Sequence, residues 1–437
     1  MFSAPCICIT FTGGNAMSEE GKWSGFYKKT VEERRKAIAE AAGLTDEEVA
    51  IISKDGPLAL DVANAMSENV IGTVGLPLSV ALNFLVDGKE VIVPMAVEEP
   101  SVVAAASYAA KLARPSGGFR TEYTGSIMIG QIQVVGIKEA EKAVEKIGKD
   151  AERLIKTANS HAEHLTRYGG GVRGMQARKL KTARGDMLIV ELLVDVQDAM
   201  GANAVNTVLE KMTSEIISVT GGEKRLRILS NLAVHRLAAA TAVWKKEDIG
   251  GEEVSEGVLD AWAFAMADPF RRATHNKGVM NGIDAVAVAT GNDWRAVEAG
   301  AHSYAAYMGG ISLTSYKKTP DGGIEGRIVL PLAVGTIGGS IRSSRTAQIA
   351  IKIAGVKTSG ELARLMAAVG LAQNFAALRA MAGEGIQAGH MRLHAKNVAL
   401  ASGAKGGEVE KVAEEMAKAG AINAENAAKI IGAARKK

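Results

Sequence analysis

Ile127-Met128-Ile129-Gly130-Gln131-Ile132-Gln133-Val134-Val135 alternates as a half-buried strand must, and it opens the stretch that decides the fold. The period then changes. Ala140, Val144, Ile147, Ala151, Leu154 and Ala158 recur at helical spacing, which predicts a helix from Glu139 to Ala158. Arg173 to Leu180 and Met187 to Val196 read as two strands joined by the basic turn Lys181-Thr182-Ala183-Arg184-Gly185. Ala199 to Val219 is helical again and stops at Gly221-Gly222, and Arg225 to Leu229 makes a last short strand. The order β-α-β-β-α-β is ferredoxin-like. Both flanks read as mostly helical, so 126–230 is expected to be a small domain inserted into a large, mainly helical one, an α+β chain.

Outward toward the N-terminus, Thr30-Val31-Glu32-Glu33 and Thr45-Asp46-Glu47-Glu48 match the capping box, in which threonine and glutamate satisfy free amides reciprocally. Lys89 to Pro94 reads as a strand, and Ser101 to Ala113, opened by Pro100, as a buried helix. Outward toward the C-terminus, Val409, Val412, Ala413 and Met416 form one helix face, and Arg435-Lys436-Lys437 suits the end of a second helix. Gly383, Gly385 and Gly389 separate this tail from the core, as a mobile flap would require. The expected division is 17–125 with 231–384 as the large domain, 126–230 as the small one, and 385–437 as the flap. Residues 1–16 read as an over-long start or a tail, since Met17-Ser18-Glu19-Glu20 is the more natural beginning.

The bulk numbers narrow the function. Apolar residues are 47% and charged ones 23% of 437, an ordinary globular balance. The charge of +4 is 52 basic minus 48 acidic residues, well mixed, with no basic-aromatic platform for nucleic acid. Cysteines occur only at Cys6 and Cys8, which excludes a disulfide framework or a thiolate nucleophile in the body and fits a reducing cytoplasm. No apolar run reaches the ~20 residues of a membrane span.

Several clusters carry potential chemistry. Asn276-Lys277-Gly278-Val279-Met280-Asn281-Gly282-Ile283-Asp284 and Ala289-Thr290-Gly291-Asn292-Asp293-Trp294-Arg295 read as glycine-punctuated turns around the apolar run Ala285 to Ala289. A lysine held beside an aspartate can stay charged and stabilise an oxyanion; the plainer alternative is a buried strand with polar turns. Glu98-Glu99-Pro100-Ser101 places two carboxylates at a strand end, where mutual repulsion would fit one for general acid work, or where they simply favour a helix N-terminus. Asp198-Ala199-Met200-Gly201-Ala202-Asn203 stands where a strand hands over to a helix, a setting that attracts phosphate unless Asp198 is only an N-cap. Gly169-Gly170-Gly171-Val172-Arg173-Gly174 satisfies G-x-G-x-x-G but leads from helix into strand, the reverse of the dinucleotide context. Gly335-Thr336-Ile337-Gly338-Gly339-Ser340 either cradles a ligand or permits tight packing. His390 and His394 have zinc-ligand spacing, but no glutamate or third ligand accompanies them, so a proton-donating histidine fits better than a metal.

In combination Glu68-Asn69-Val70-Ile71-Gly72-Thr73, Glu98-Glu99-Pro100-Ser101, Asp198-Ala199-Met200-Gly201-Ala202-Asn203, Asn276-Lys277-Gly278, Gly291-Asn292-Asp293 and Gly389-His390-Met391 resemble the class II 3-hydroxy-3-methylglutaryl-coenzyme A (HMG-CoA) reductases of bacteria and archaea. The resemblance runs from about Gly25 to the C-terminus and follows the family's order of motifs. It implies a homodimer or higher even oligomer with active sites at the subunit interface. It also implies a four-electron reduction of HMG-CoA to mevalonate and free coenzyme A by two NADH or NADPH, with no metal. Run in reverse, the same chemistry would break mevalonate down.

Residue by residue, the resemblance gives Lys277 the oxyanion, Glu99 the proton donation, and Asp293 the shared network that tunes both. His390 would protonate the departing thiolate. Ser101, Asn231, Arg271 and Thr274 would hold the acid end of the substrate, and Glu68 and Asn69 would help seat it. Asp198, Met200, Gly201, Ala202 and Asn203 would meet the dinucleotide. Ala162 stands where NADH-using relatives can carry an acid; His161, His164 and Arg167 suit a phosphate, and Glu163 suits ribose hydroxyls, so both cofactors remain open. The rivals are an acyl-coenzyme A hydrolase and a non-catalytic coenzyme A or nucleotide-binding protein on the same scaffold.

Overall fold

The computed structural model describes residues 23, 25–53, 58–383 and 395–435. Its small sheet has four strands, β4 (Ile127–Val135), β5 (Gly171–Thr182), β6 (Gly185–Asp195) and β7 (Glu223–Ser230). They lie in the order β5-β6-β4-β7, every pair antiparallel, which is the ferredoxin-like arrangement read from the sequence. Met128, Ile132 and Val134 of β4 and Leu188, Val190, Leu192 and Val194 of β6 point to one face and are fully buried. Helix α8 (Ala202–Thr220) covers that face. A side chain at Gly130 would come within 2.7 Å of Val205, so glycine there lets the helix approach.

The helix expected from Glu139 to Ala158 is two: α5 (Ala140–Lys149) and α6 (Ala151–Ser160), followed by the short α7 (Glu163–Thr166). Asp150 stands between them at φ −91°, ψ 3°, its carboxylate paired with Arg153 at 2.9 Å. Gly148 weakens the preceding turn, and aspartate favours helix ends over helix interiors.

The flanking sequence holds more sheet than its composition advertises. Strands β1 (Leu78–Val86), β2 (Lys89–Ala96), β3 (Phe119–Tyr123), β8 (Leu237–Trp244), β9 (Thr314–Lys318) and β10 (Ile324–Pro331) form a second sheet in the order β2-β1-β3-β8-β10-β9. Around it lie α1 (Val31–Ala42), α2 (Asp46–Ile52), α3 (Leu60–Met66), α4 (Pro100–Ala113), α9 (Lys246–Ile249), α10 (Glu252–Ala267), α11 (Pro269–Ala289), α12 (Trp294–Tyr307), α13 (Gly339–Ser343), α14 (Arg345–Ala354) and α15 (Ser359–Ala382). Both capping boxes form, Thr30 with Glu33 and Thr45 with Glu48.

By length and composition helix α15 could cross a bilayer, although Glu361, Arg364 and Arg379 keep its uninterrupted apolar stretch shorter than a span. It is instead the centre of this core, packed on α4, α10 and α11, with Phe375 stacked on Trp244 at 3.7 Å. Helices Glu408–Lys418 and Ala424–Ala434 build a separate small core from Val412, Met416, Ala427 and Ile431.

Candidate functional site

The segment around Lys277 is a helix and not a set of turns. Asp268 caps α11 by accepting the Arg271 N–H at 2.7 Å, and Pro269 occupies the first turn, so the chain enters helically and stays so to Ala289. The glycines that looked like punctuation serve packing. A side chain at Gly282 would meet Val369 and Gln373 of α15 at 3.0–3.1 Å. Thr274, Lys277, Asn281 and Asp284 recur at helical spacing along the least buried stripe of α11. Asn281, one turn beyond Lys277, is a polar neighbour that the sequence reading quoted without assigning a role.

The opposite face fixes the turn that carries Lys277. Asn276 clamps the start of β9, donating to the Ile311 carbonyl at 3.3 Å and accepting the Leu313 N–H at 3.0 Å. His275 Nε2 meets the Thr314 hydroxyl at 2.7 Å, and that hydroxyl donates to Asn374 Oδ1 at 2.9 Å. Thr314 has one hydrogen, already given to Asn374, so His275 donates from Nε2 and its buried Nδ1 keeps a lone pair. Burial, helped by the Arg271 charge, pushes the His275 imidazole down to about 4.

The unfolded histidine titrates near 6.5, so the unfolded chain binds the extra proton between pH 6.5 and 4. Stability should therefore fall as the pH drops through that window, by on the order of 3 kcal/mol in all. Asp284 works with the opposite sign. Burial, then the bonded Glu298 carboxylate, raises it, so its contribution weakens as the pH rises. Melting temperatures at pH 7 and 4.5 for the wild type and His275→Gln isolate the histidine. The variant should show a shallower acid loss, and equal slopes would refute the assignment.

The other expected residues do not all meet. Glu99 occupies the N-cap position of α4 without a side-chain cap bond and accepts a hydrogen bond from the Ser101 hydroxyl, so these two stand together, with Glu99 half-buried and Glu98 exposed. Arg271 is half-buried with its guanidinium against the Met381 sulfur, and Thr274 is exposed one turn before Lys277. Lys277 is exposed and has no ion pair or hydrogen bond among the described residues. Asp284 turns to Glu298, which His302 holds at 2.8 Å.

Asp293 caps α12 through the Ala296 N–H and lies 3.5 Å from Arg295. From Lys277 to Ala289 the helix rises about 18 Å at 1.5 Å per residue. Asn292 N–H still bonds the Ala287 carbonyl, so Asp293 stays at the far end of α11. Within one chain, Lys277 and Asp293 are not neighbours. His390 and His394 lie outside the described residues. Among the described residues no group of three or more His, Cys, Asp and Glu could hold a metal.

The turn from Asp198 to Asn203 takes the form that suits phosphate. Asp198 does not cap α8; its carboxylate accepts the Ser359 N–H at 2.8 Å instead. The N-cap is Gly201 at φ 103°, with no side chain on the first amides of α8, which are left for an anion. Met200 and Ala202 are half-buried and Asn203 is exposed. Ala162 is fully buried, whereas Glu163, His164 and Arg167 are exposed. Glu68, Asn69 and Asn231 are exposed, and Asn69 takes φ 56° at the start of an irregular run that bares Ile71 and Val74.

Comparison with known proteins gives the family. A family model described as hydroxymethylglutaryl-coenzyme A reductase matches residues 30–395. The chain belongs to the hydroxymethylglutaryl-coenzyme A reductase family, in its class II branch. The 3-hydroxy-3-methylglutaryl-coenzyme A reductase of Archaeoglobus fulgidus is 56% identical over 407 residues, 93% of either protein. The reductase structure from Streptococcus pneumoniae superposes with a TM-score of 0.81 at 39% identity, covering 94% of this chain and 99% of that one. A class II structure from the same organism, bound to NADPH in open conformations, gives 0.79 at 40% identity, covering 82% and 99%.

Proposed function

We infer that this chain reduces HMG-CoA to mevalonate and free coenzyme A with two nicotinamide dinucleotides per turnover. The observation that carries the reading is Lys277, an exposed cation on a polar helix stripe whose back is pinned by His275 and Asn276. The pinned turn sets where the lysine stem starts, and from there the free ammonium can reach an oxyanion on a bound substrate. The bound dinucleotide supplies hydride, and the uncapped amides of α8 fit its diphosphate.

In this reading Lys277 holds the charge that forms on the thioester oxygen. Glu99, oriented by Ser101, delivers a proton to that oxygen. His390 protonates the leaving thiolate, and Asp293 holds the lysine and the glutamate in one network. Arg271, Thr274, Asn231 and Ser101 bind the acid end of the substrate, an arginine being suited to grip a carboxylate. Residues 126–230 serve as the nucleotide domain, 17–125 with 231–384 as the substrate and dimerisation domain, and 385–437 as the flap. The enzyme is a cytoplasmic homodimer. The distance between Lys277 and Asp293 in one chain supports sites shared between subunits, and the bare Ile71 and Val74 beside Glu68 support a second copy covering that run.

The test is stoichiometry. With HMG-CoA and either NADH or NADPH, about two nicotinamides should be oxidised per thiol released, because both reductions finish at one site. One nicotinamide per thiol with free aldehyde would refute the two-step reading, and thiol release without oxidation would identify a hydrolase.

A further inference from the structure

The glycine loop after β10 makes contacts that reach both halves of the proposed site. We propose that Gly335 is a spacer that fixes the dinucleotide turn against the Asp293 loop, with Asn292 and Arg236 as positioning residues on either side. The inference rests on the reading of 198–203 as the dinucleotide turn.

One buried side chain takes both polar groups of Gly335. Asn292 Oδ1 accepts the Gly335 N–H at 2.7 Å, and Asn292 Nδ2 donates to the Gly335 carbonyl at 3.1 Å. Asn292 immediately precedes Asp293. On its other side Gly335 touches the dinucleotide turn: a β-carbon there would lie 2.7 Å from Met200 N, 2.9 Å from Asp198 O and 3.0 Å from Ala199 C. All three are backbone atoms with no room to swing away. Thr336 N–H then bonds the Asp198 carbonyl at 2.9 Å.

Arg236 closes the arrangement. It is fully buried on the segment that leads from β7 to β8. Its guanidinium donates to the carbonyls of Ala199 at 3.2 Å, Met200 at 3.1 Å and Val334, and to the Tyr123 hydroxyl at 3.0 Å. One planar fork thus holds the residue before Gly335 and the turn that Gly335 touches, a task that a lysine ammonium cannot copy. The Asp198 carboxylate ties the same turn to the start of α15. The turn cannot shift relative to Asn292 without losing several of these bonds. Hydride transfer depends on such placement, since an error of about 1 Å can cost ~10²-fold in rate.

The test compares Gly335→Ala and Arg236→Lys in the full-length chain, with NADPH and NADH as probes. Gly335→Ala should weaken dinucleotide binding by about ten-fold in a fluorescence titration and slow turnover by ~10–10²-fold. The KM for HMG-CoA should stay within about two-fold, and Arg236→Lys should show the same pattern at smaller size. A purely structural role would lower the melting temperature without this split between the two substrates. Unchanged dinucleotide affinity and turnover in a folded Gly335→Ala would overturn the proposal. If that variant does not fold, the same result for Arg236→Lys overturns it. Ala202→Asp checks the underlying reading by placing a carboxylate at the first residue of α8. If Ala202→Asp leaves binding intact, the turn does not hold the diphosphate; if it abolishes binding while Gly335→Ala does not disturb it, only the spacer is refuted.

Discussion

Lys277→Ala is expected to yield a folded protein whose thioester reduction is slower by about 10²–10³-fold, the usual cost of removing one oxyanion donor. The fold should survive because Lys277 is exposed and holds no partner among the described residues. The anchors of its turn, His275 and Asn276, lie on the other face and remain. Alanine also raises helix propensity at an exposed position. Lys277→Arg keeps the charge but replaces a compact ammonium with a planar fork, and should recover only part of the loss. Steady-state rates with HMG-CoA, alongside circular dichroism, check both variants. Near-normal turnover in folded Lys277→Ala would remove the lysine from the chemistry.

How much of this was legible in the sequence depended on which signal each segment carries. The small sheet was readable because β4 alternates between a buried and a half-buried face, and because Leu188, Val190, Leu192 and Val194 of β6 fall at every second position on the helix-covered face, although Ile189 and Glu191 opposite them are buried as well. The large sheet was mostly missed because its central strand β8 reads Leu237-Ala238-Ala239-Ala240-Thr241-Ala242-Val243-Trp244. Alanine favours helix locally, and only pairing with β3 and β10 on both sides makes this run extended. The α11 segment failed for a related reason. Gly278 and Gly282 look like breakers, yet an N-cap at Asp268 and close packing on α15 override them.

The site divided in the same way. Residue types singled out Lys277, Glu99 and the Asp198 turn as candidates, because each chemistry needs particular groups. Spatial pairing was not announced. Asp284 and Asp293 both follow Lys277 in sequence, but helical geometry sends the first to Glu298 and the second to the far end of α11. Neither Asn292, quoted only as the neighbour of Asp293, nor Arg236 was given a role from the sequence, since the bonds that define their places go to backbone atoms of Gly335, Ala199, Met200 and Val334, more than thirty residues away.

The separation of Lys277 from Asp293 leads to the other large expected effect. In a two-fold dimer with shared sites, one site combines Lys277 of one subunit with Asp293 of the other. Lys277→Ala and Asp293→Ala homodimers should each be nearly inactive, because every site lacks one group. Mixed after dissociation and reassociation, they should regain activity. In each heterodimer one site lacks both groups and the other has both intact. Random pairing makes about half the dimers mixed, each with one working site of two, so about a quarter of wild-type activity should return. If both groups served the same site from a single chain, every mixed dimer would still pair an alanine with each remaining partner, and nothing would return. Persistent inactivity, with subunit exchange confirmed by differently tagged chains, would refute the shared site. Such a result would require α11 and α12 to rearrange until Asp293 reaches Lys277 within its own chain, against the Asn292–Ala287 and Asn292–Gly335 bonds that hold Asp293 in place.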